Sequence, residues 1–238
     1  MIDYSNNLLL FLRTVGRRLK ILRPLRRLAG YFRPQEYESE LRSELVKHTM
    51  PGQVIWDIGA NVGIYVELLL SLVGPGGTVV AFEPSPKSFD VLKKKYSRIP
   101  NVRLENVALS DRDGVAPFFE TPATTTSSLD RRETLATNEI EIAVKRGDSY
   151  ASGHFPNIVK IDVEGHELEV LNGMQGILKS ANLECVFLEM HFSILSEQGR
   201  PNAPATIVRM LRQAGLAVRW IDSSHLVACR EANSNRRL

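Results

Sequence analysis

Residues 54–65 read VIWDIGANVGIY, and this stretch decides the fold of the chain. Apolar residues lead into Asp57, Gly59 and Gly63 frame a short polar turn, and an apolar helical pattern begins directly afterwards. A strand, a glycine turn and a helix in this order are typical of the unit that opens a parallel sheet and binds a nucleotide-type ligand. The turn therefore either serves a ligand or only forms a tight corner.

Segments with strand and helix patterns alternate outward from this stretch. The predicted strands cover residues 53–59, 78–84, 102–110, 157–163 and 184–191, and a hairpin of 216–222 and 225–230 closes the chain. The predicted helices cover residues 36–48, 62–73, 85–99, 166–180 and 203–215. This alternation predicts an α/β domain in which a mostly parallel sheet carries helices on both faces.

The charge of the chain is divided unevenly between its first residues and the rest. Residues 1–34 hold eight basic side chains and one acidic side chain, whereas the remaining residues hold 22 basic and 26 acidic ones. We therefore expect a basic amphipathic segment over 1–34, one domain over 35–230 and a frayed tail over 231–238. An acidic main body argues against a nucleic-acid groove, which would carry its basic residues on the fold itself.

Leucines and valines recur every three or four residues in the N-terminal segment, with basic residues between them. Such a helix, over residues 8–28, can lie on an anionic membrane surface or pack its apolar stripe on protein. No apolar run is long enough to span a bilayer. Cys185 and Cys229 are too few for a disulfide framework, so we expect reduced thiols and a cytoplasmic protein, peripheral to the membrane if the helix binds there.

The turn motif indicates which ligand the sheet binds. Asp57 to Gly63 read D-x-G-x-x-x-G, which lacks the close glycine pair of the dinucleotide motif G-x-G-x-x-G. A carboxylate at the strand end suits a cation, such as the α-ammonium of S-adenosylmethionine. Glu83 ends the next strand about 20 residues later, where a carboxylate can accept both ribose hydroxyls.

Four segments resemble the FkbM-type S-adenosylmethionine-dependent methyltransferases: WDIGANVGIY, VVAFEPSP, LENVALSDRDG and, most specifically, IVKIDVEGHELEVLNGM. The resemblance covers roughly residues 50–195 and implies a seven-stranded Rossmann-like fold and O-methylation of hydroxyls on sugars, glycolipids or natural products. It places the cofactor site at Asp57, Gly59, Ala60, Asn61, Gly63, Glu83 and Pro84, with Asn106 and Ala108 near the adenine edge. Where family members often read TLD, this chain reads Arg146-Gly147-Asp148, a minor departure.

Acceptor-binding groups are expected beyond the carboxyl ends of the fourth and fifth strands. This rule selects Asp162, Glu164, Glu189 and His191, with His191 as the preferred general base because its ordinary pKa lies near neutrality. A hydrogen-bonded structural role for His191 is an equal alternative. A divalent ion held by Asp162, Glu189 and His191 is a less favoured alternative, and the predicted site contains no metal.

The remaining polar features carry weaker expectations. The threonine-rich residues 121–132 are a candidate lid over a polar acceptor, and Lys160 shares a strand face with Asp162, which permits a structural ion pair. His48, His154 and His225 are expected to be incidental. Glu164 and Glu167 can also cap the helix that follows them.

Two other functions compete with methyl transfer. A nicotinamide-dependent oxidoreductase would use the same fold, but the absent G-x-G-x-x-G motif argues against it. A non-catalytic membrane-surface adaptor would rely on the basic helix and a vestigial fold. The acceptor is expected to be a small molecule, sugar or glycolipid rather than nucleic acid, and self-association into a homo-oligomer is left open.

Overall fold

The computed structural model describes residues 34–120, 138–151 and 153–231. The basic segment over 1–33, with the proposed membrane helix, and the candidate lid over 121–132 lie outside these ranges. Within them, no helix combines the length and the apolar character needed to cross a bilayer.

Seven strands form the main sheet, and three form a smaller one. In chain order the strands are β1 Val54–Ile58, β2 Thr78–Phe82, β3 Val102–Glu105, β4 Ala108–Ser110, β5 Gly114–Glu120, β6 Asn138–Arg146, β7 Ile158–Ile161, β8 Cys185–Glu189, β9 Ala217–Trp220 and β10 His225–Cys229. The main sheet has the order β3-β2-β1-β7-β8-β10-β9, in which only the pairs made by β10 are antiparallel. This confirms the predicted Rossmann-like fold and its closing hairpin.

The helices within the described ranges are α1 Pro34–His48, α2 Ile64–Val73, α3 Pro86–Tyr96, α4 Gly147–Tyr150, α5 Glu167–Asn172, α6 Gln175–Lys179, α7 Phe192–Glu197 and α8 Ala203–Gln213. Ser85 begins α3 as predicted, since its hydroxyl accepts a hydrogen bond from the Ser88 amide. The single helix predicted over 166–180 was wrong. It is two short helices, because the chain turns at Gly173, where a Cβ would lie only 1.9 Å from the Ser110 carbonyl oxygen.

The strand predicted over 102–110 was also wrong in part, because it is two strands in different sheets. β3 continues the main sheet beside β2, whereas β4 pairs with β6 in the smaller sheet. The Asn106 side chain holds the link between them by donating to the carbonyl oxygens of Glu83 and Pro84. β3 alternates apolar and charged residues and β4 continues as a second extended stretch, so the sequence pattern does not mark the change of sheet.

Alternate residues of β1 bury on opposite faces of the main sheet, as expected for a sheet covered on both sides. Trp56 and Ile58 pack into the core shared with α5, α6 and α8. Ile55 packs into the second core, with Leu41 and Leu45 of α1 and the apolar face of α2. Asp57 is on the Ile55 side of β1, so its carboxylate lies under α1 and α2.

The prediction of reduced cysteines was wrong. Cys185 and Cys229 face each other across the antiparallel pair of β8 and β10, and their sulfurs are bonded at 2.10 Å. The two residues are 44 positions apart in the sequence, so only the strand register brings them together. The bond removes the observation from which a reducing, cytoplasmic setting was expected.

Candidate active site

One edge of the main sheet gathers most of the predicted site residues. The parallel strands β1, β2, β7 and β8 all end there, and the antiparallel β10 begins there at His225. Side chains from five strands therefore meet at this edge, as expected for ligand sites in open α/β sheets.

The turn after β1 is held by the end of β2. The amides of Gly59 and Ala60 donate to the Phe82 carbonyl oxygen, and the amide of Asn61 donates to the Glu83 carboxylate. The Gly63 amide closes the turn on the Ala60 carbonyl. These four amides are used within the protein, so the turn does not offer them to a pyrophosphate.

The two glycines of the motif are required by close packing of the chain. Gly59 has a φ of +82°, and a Cβ there would lie 1.9 Å from the Asp162 carbonyl oxygen. Gly63 has a φ of +87°, and a Cβ there would lie 2.5 Å from the Tyr96 ring. Protein atoms fill both spaces, so these glycines shape the corner on which the site is built. Their direct contact with a cofactor stays a prediction.

Glu83 is a buried carboxylate at the end of β2, with only 6% of its surface exposed. Its two oxygens accept hydrogen bonds from the amides of Ser85 and Asn61, both at 2.8 Å. Burial outweighs these bonds and raises the pKa of Glu83 to about 7. A carboxylate held at this cost, in the position predicted for ribose binding, has the character of a binding group rather than a stabilising one.

The other residues predicted near the adenosyl group lie after β1, β2 and β3. Pro84 is half-buried, and Ala60 is buried beside the turn. Asn106 is exposed, with its amide committed to the β2 end as described above. Ala108 is buried at the start of β4. The structure thus groups these residues around one strand end, and their contact with adenine stays a prediction.

Asp57 already has a cationic partner. Lys160, directly opposite on β7, places its Nζ 3.1 Å from the Asp57 carboxylate and 3.7 Å from that of Asp162. The ammonium also lies 4.5 Å from the centre of the Tyr65 ring. Burial disfavours a charged lysine, but the two carboxylates raise the pKa of Lys160 above its usual value.

One oxygen of Asp57 is left without a hydrogen-bond partner among the described residues. Asp57 is fully buried, and its Oδ2 is the unpaired atom. An unpaired buried carboxylate oxygen costs roughly 1–3 kcal/mol or more, so such atoms call for a donor. The sequence analysis predicted the α-ammonium of a cofactor as that donor, and Lys160 satisfies only the other oxygen.

The loop after β7 carries the acceptor-side carboxylates. Glu164 has a φ of +52°, an unusual backbone conformation for a long side chain and one that is concentrated at functional sites. Glu167 is fully buried at the start of α5 and accepts a hydrogen bond from the Gly165 amide. Glu167 lies in the first turn of α5, but no side chain among the described residues caps this helix, so the bond holds the loop before it.

His191 lies among four carboxylates. Its Nδ1 is 2.7 Å from Glu167, and its Nε2 is 3.7 Å from a carboxylate oxygen of both Asp162 and Glu164. The same Nε2 lies 3.9 Å from Glu189. Burial opposes the charged form, but the Glu167 hydrogen bond and the nearby carboxylates raise the pKa of His191 to about 10. The surrounding carboxylates thus favour the charged form of His191, and its role as general base stays a prediction.

His225 belongs to the same edge, although the sequence analysis set it aside as incidental. It is 2% exposed, with its Nδ1 2.7 Å from Asp222 and its Nε2 3.4 Å from Glu189. Burial opposes its charged form, but the two carboxylates raise the pKa of His225 to about 9. The Glu189 carboxylate is half-buried, and burial alone would raise its pKa, but His225 and His191 lower it.

A cavity of about 160 Å³ opens between this edge and α1. Polar groups of Lys160, Asp162, Glu189 and His225 line it, together with Tyr65 and the apolar side chains Leu41, Ile161, Phe187 and Leu188. A recess with apolar walls and a few converging polar groups is the usual form of a small-molecule site.

Three groups at this edge have contacts that the sequence did not predict. Lys160 was paired only with Asp162, Glu167 was treated as a helix cap, and His225 was set aside. The spacing of Lys160 and Asp162 was readable in the sequence, whereas the contact of Lys160 with Asp57 depends on the register of β1 and β7. The antiparallel entry of β10 likewise brings His225 to the carboxyl ends of its neighbours.

Comparison with protein-family models gives a match to the methyltransferase FkbM domain over residues 57–216. The chain is 30% identical to the hexuronic acid methyltransferase AglP of Haloferax volcanii over 184 residues, which are 76% of this chain and 70% of AglP. It is 33% identical to the 31-O-demethyl-FK506 methyltransferase FkbM of Streptomyces tacrolimicus, over 52% of this chain and 60% of that protein.

Solved structures match at lower identity and support the fold. The FkbM methyltransferase of Methylobacillus flagellatus KT superposes with a TM-score of 0.51 at 14% identity. The match covers 74% of this chain but only 43% of that longer one. A putative rRNA methylase of Clostridium thermocellum gives a TM-score of 0.52 at 11% identity, covering 80% of this chain and 92% of that one.

Proposed function

Because this chain belongs to the FkbM methyltransferase domain family, we propose that it transfers a methyl group from S-adenosylmethionine to a hydroxyl of a sugar, a glycolipid or another small molecule. Family membership makes the chain a methyltransferase, and the methyl donor and acceptor are the proposed parts. The relative AglP bears the name of a hexuronic acid methyltransferase, which favours a sugar acceptor.

One observation carries the proposal: two buried carboxylates, Asp57 and Glu83, lie at the ends of adjacent parallel strands. Glu83 keeps a raised pKa of about 7, and Asp57 keeps one oxygen without a partner among the described residues. Both features reduce the stability of the free protein. A ligand that brings a cation and two neighbouring hydroxyls would satisfy both groups, and S-adenosylmethionine has this composition.

The residues present fit that cofactor. Asp57 would accept from the α-ammonium, and Glu83 would accept from the ribose hydroxyls. Pro84, Asn106 and Ala108 would border the adenine. When bound, S-adenosylmethionine supplies a methyl carbon whose bond to sulfur breaks as the acceptor oxygen bonds to it.

The acceptor would enter the cavity beside Asp162 and Glu189. Their half-buried carboxylates can accept hydrogen bonds from a sugar hydroxyl and fix its direction. The apolar walls from Leu41 and Phe187 would exclude water from the reacting oxygen. Correct alignment of the reacting groups can supply about 7–11 kcal/mol in well-oriented systems, so positioning is the main contribution expected of these residues.

Methyl transfer is tested directly by mass spectrometry. The purified chain is incubated with S-adenosylmethionine and methyl glycosides of glucuronic acid, galacturonic acid and glucose, and each glycoside is examined for one added methyl group. We expect methylation of a uronic acid hydroxyl, and its loss in Asp162→Asn. Glu141→Gln, at an exposed position of β6, is the matched control and should retain activity. Methylation of none of a broad sugar and glycolipid panel would contradict the proposed acceptor class.

A nicotinamide-dependent oxidoreductase finds no support in the turn after β1, since its amides are used within the protein. Contact of residues 8–28 with anionic membranes, and self-association, stay predictions. Co-sedimentation with phosphatidylserine vesicles, for the full chain and for a variant lacking residues 1–34, tests the first. Equal partitioning of the two proteins would contradict membrane contact. Light scattering of the purified chain tests self-association.

A further inference from the structure

Three groups able to bind a metal converge where β7 and β8 end. Asp162, Glu189 and His191 each offer a ligand atom, and these atoms all lie within 4.8 Å of one another. An octahedral ion with bonds of about 2.1 Å separates adjacent ligand atoms by roughly 3.0 Å and opposite ones by roughly 4.2 Å. His191 Nε2 lies 3.7 Å from Asp162 and 3.9 Å from Glu189, so these atoms would move by less than about 1 Å to become adjacent ligands.

A group outside this set orients the histidine. Glu167 is fully buried and lies 2.7 Å from His191 Nδ1, so Nε2 is the nitrogen that faces the two carboxylates. Glu167 is itself fixed by the Gly165 amide at 3.0 Å. A carboxylate that holds the far nitrogen of a histidine ligand is the usual support of a metal site.

The charge around the site also calls for a cation. Six carboxylates lie within 3.9 Å of three described cationic groups at this edge, so they outnumber those groups even with both imidazoles protonated. The carboxylates are Asp57, Asp162, Glu164, Glu167, Glu189 and Asp222, and the cationic groups are Lys160, His191 and His225. Like charges this close repel strongly where water is scarce, so a divalent ion would relieve the excess.

The set is also accessible to an ion and to a substrate. The side chains of Asp162 and Glu189 are 31% and 24% exposed, and both line the cavity of about 160 Å³. An ion bound there would keep coordination positions open toward the cavity. Those positions can take water or a hydroxyl.

We propose that Asp162, Glu189 and His191 bind one divalent cation of the magnesium or manganese class, with Glu167 as the residue that positions His191. Two carboxylates, one imidazole and solvent form a ligand set that suits these ions, whereas sites for softer metals add thiolates or more imidazoles. Glu164, whose carboxylate is 3.7 Å from His191 Nε2, stands beside the same ion.

The role of the ion rests on the proposed methyltransferase function. A hydroxyl bound to a divalent ion loses its proton more readily, because the metal stabilises the resulting alkoxide. The proton passes to the Glu164 carboxylate, the oxygen lone pair forms the bond to the methyl carbon, and the carbon–sulfur electron pair remains on sulfur. Glu164 therefore acts as the general base in this arrangement, and the ion makes the hydroxyl easier to deprotonate.

Binding of Mn²⁺ to the full chain tests the site without any methyl transfer. The chain is stripped with EDTA, exchanged into chelator-free buffer and titrated with Mn²⁺, while free Mn²⁺ is followed by its electron paramagnetic resonance signal. We expect one ion per chain, displaced by excess Mg²⁺. Asp162→Asn, Glu189→Gln and His191→Gln should each lower affinity more than tenfold, and Glu167→Gln should lower it about 10- to 100-fold.

Matched controls separate this site from surface binding and from misfolding. Glu141→Gln, at an exposed position of β6, should bind Mn²⁺ as the unchanged chain does, and each variant should keep its circular dichroism spectrum. No binding at millimolar Mn²⁺, or equal binding by the ligand variants, would overturn the site. Bound Mn²⁺ that excess Mg²⁺ cannot displace would overturn the assigned class of ion.

S-adenosylhomocysteine binding, measured on the same preparations, separates this proposal from the proposed function. Mn²⁺ binding without S-adenosylhomocysteine binding would leave the metal site standing and contradict the methyltransferase chemistry assigned to it. S-adenosylhomocysteine binding without Mn²⁺ binding would leave the enzyme standing and remove the ion.

Discussion

The buried carboxylate of Glu83 should make the stability of the protein depend on pH in a defined way. Its pKa is raised from the ordinary value of 4.5 to about 7, mainly because burial disfavours the charged form. Below pH 4.5 the group is neutral in both the folded and the unfolded chain. As the pH rises toward 7, the unfolded chain ionises while the folded one holds its proton, so folding stability falls.

The size of this loss follows from the two pKa values. A tenfold change in proton affinity corresponds to about 1.4 kcal/mol, so the contribution of Glu83 should decrease by about 3 kcal/mol between pH 4.5 and pH 7. Glu83→Gln resembles the protonated form and cannot ionise. The variant should therefore gain about 2.5 kcal/mol relative to the unchanged chain as the pH rises from 5 to 8.

Urea unfolding at pH 5 and pH 8, followed by circular dichroism, measures this difference for the two proteins in parallel. Because only the difference is used, other titrating groups common to both proteins cancel. Glu141→Gln, at an exposed position, should show no such change between the two pH values. If Glu83→Gln changes the free energy of unfolding equally at pH 5 and pH 8, the claim that ionised Glu83 destabilises the folded protein is refuted.

Three further predictions follow from the packing of the fold. Gly59→Ala should destabilise the protein by at least about 2 kcal/mol more than Gly52→Ala. Both glycines have a positive φ, but only the Cβ added at position 59 would lie 1.9 Å from a backbone oxygen. Equal melting temperatures of the two variants would contradict this. Lys160→Met should lower the free energy of unfolding by about 3–5 kcal/mol, because Asp57 is then buried without its cation. In urea unfolding, adding Asp57→Asn should restore part of that loss, and purely additive effects of the two substitutions would contradict the ion pair. Reduction of the Cys185–Cys229 disulfide should lower the unfolding free energy by about 4 kcal/mol, as estimated from its separation of 44 residues, whereas a Cys185→Ser/Cys229→Ser protein should not respond to reductant. An unchanged urea midpoint after reduction would contradict the last prediction.

The parallel sheet and its ligand-binding edge were predictable from local patterns in the sequence. The run into Asp57 and the later Glu83 both follow apolar strands, and parallel strands bring their carboxyl ends to one edge. The pattern of apolar residues in the sequence therefore predicted that both carboxylates lie at this edge of the sheet. The same reasoning correctly selected Asp162, Glu189 and His191 as neighbours at that edge.

Contacts that depend on register and on long sequence separation were not predictable. Lys160 meets Asp57 because β1 and β7 align these two residues, and His225 reaches Glu189 because β10 runs antiparallel to β8. The disulfide follows from the same register of β8 and β10. The break between β3 and β4 joins two extended stretches with Asn106 between them, and no turn signal separates these strands.

The electrostatics of the site also required the structure. A lone histidine at a strand end suggests a general base, because an unperturbed imidazole titrates near neutral pH. Four surrounding carboxylates favour the charged form of His191 and also place it among groups that can bind a cation. The distances that define these contacts were available only from the structure.

The central claim, that the edge of β1 and β2 binds S-adenosylmethionine, is tested most directly by calorimetric titration of the purified chain with S-adenosylhomocysteine. We predict binding of one molecule per chain, lost or weakened more than tenfold in both Asp57→Asn and Glu83→Gln, and retained in Glu141→Gln. Absence of binding by the folded, unchanged chain would contradict the account and leave the turn at Gly59 as a corner of the fold.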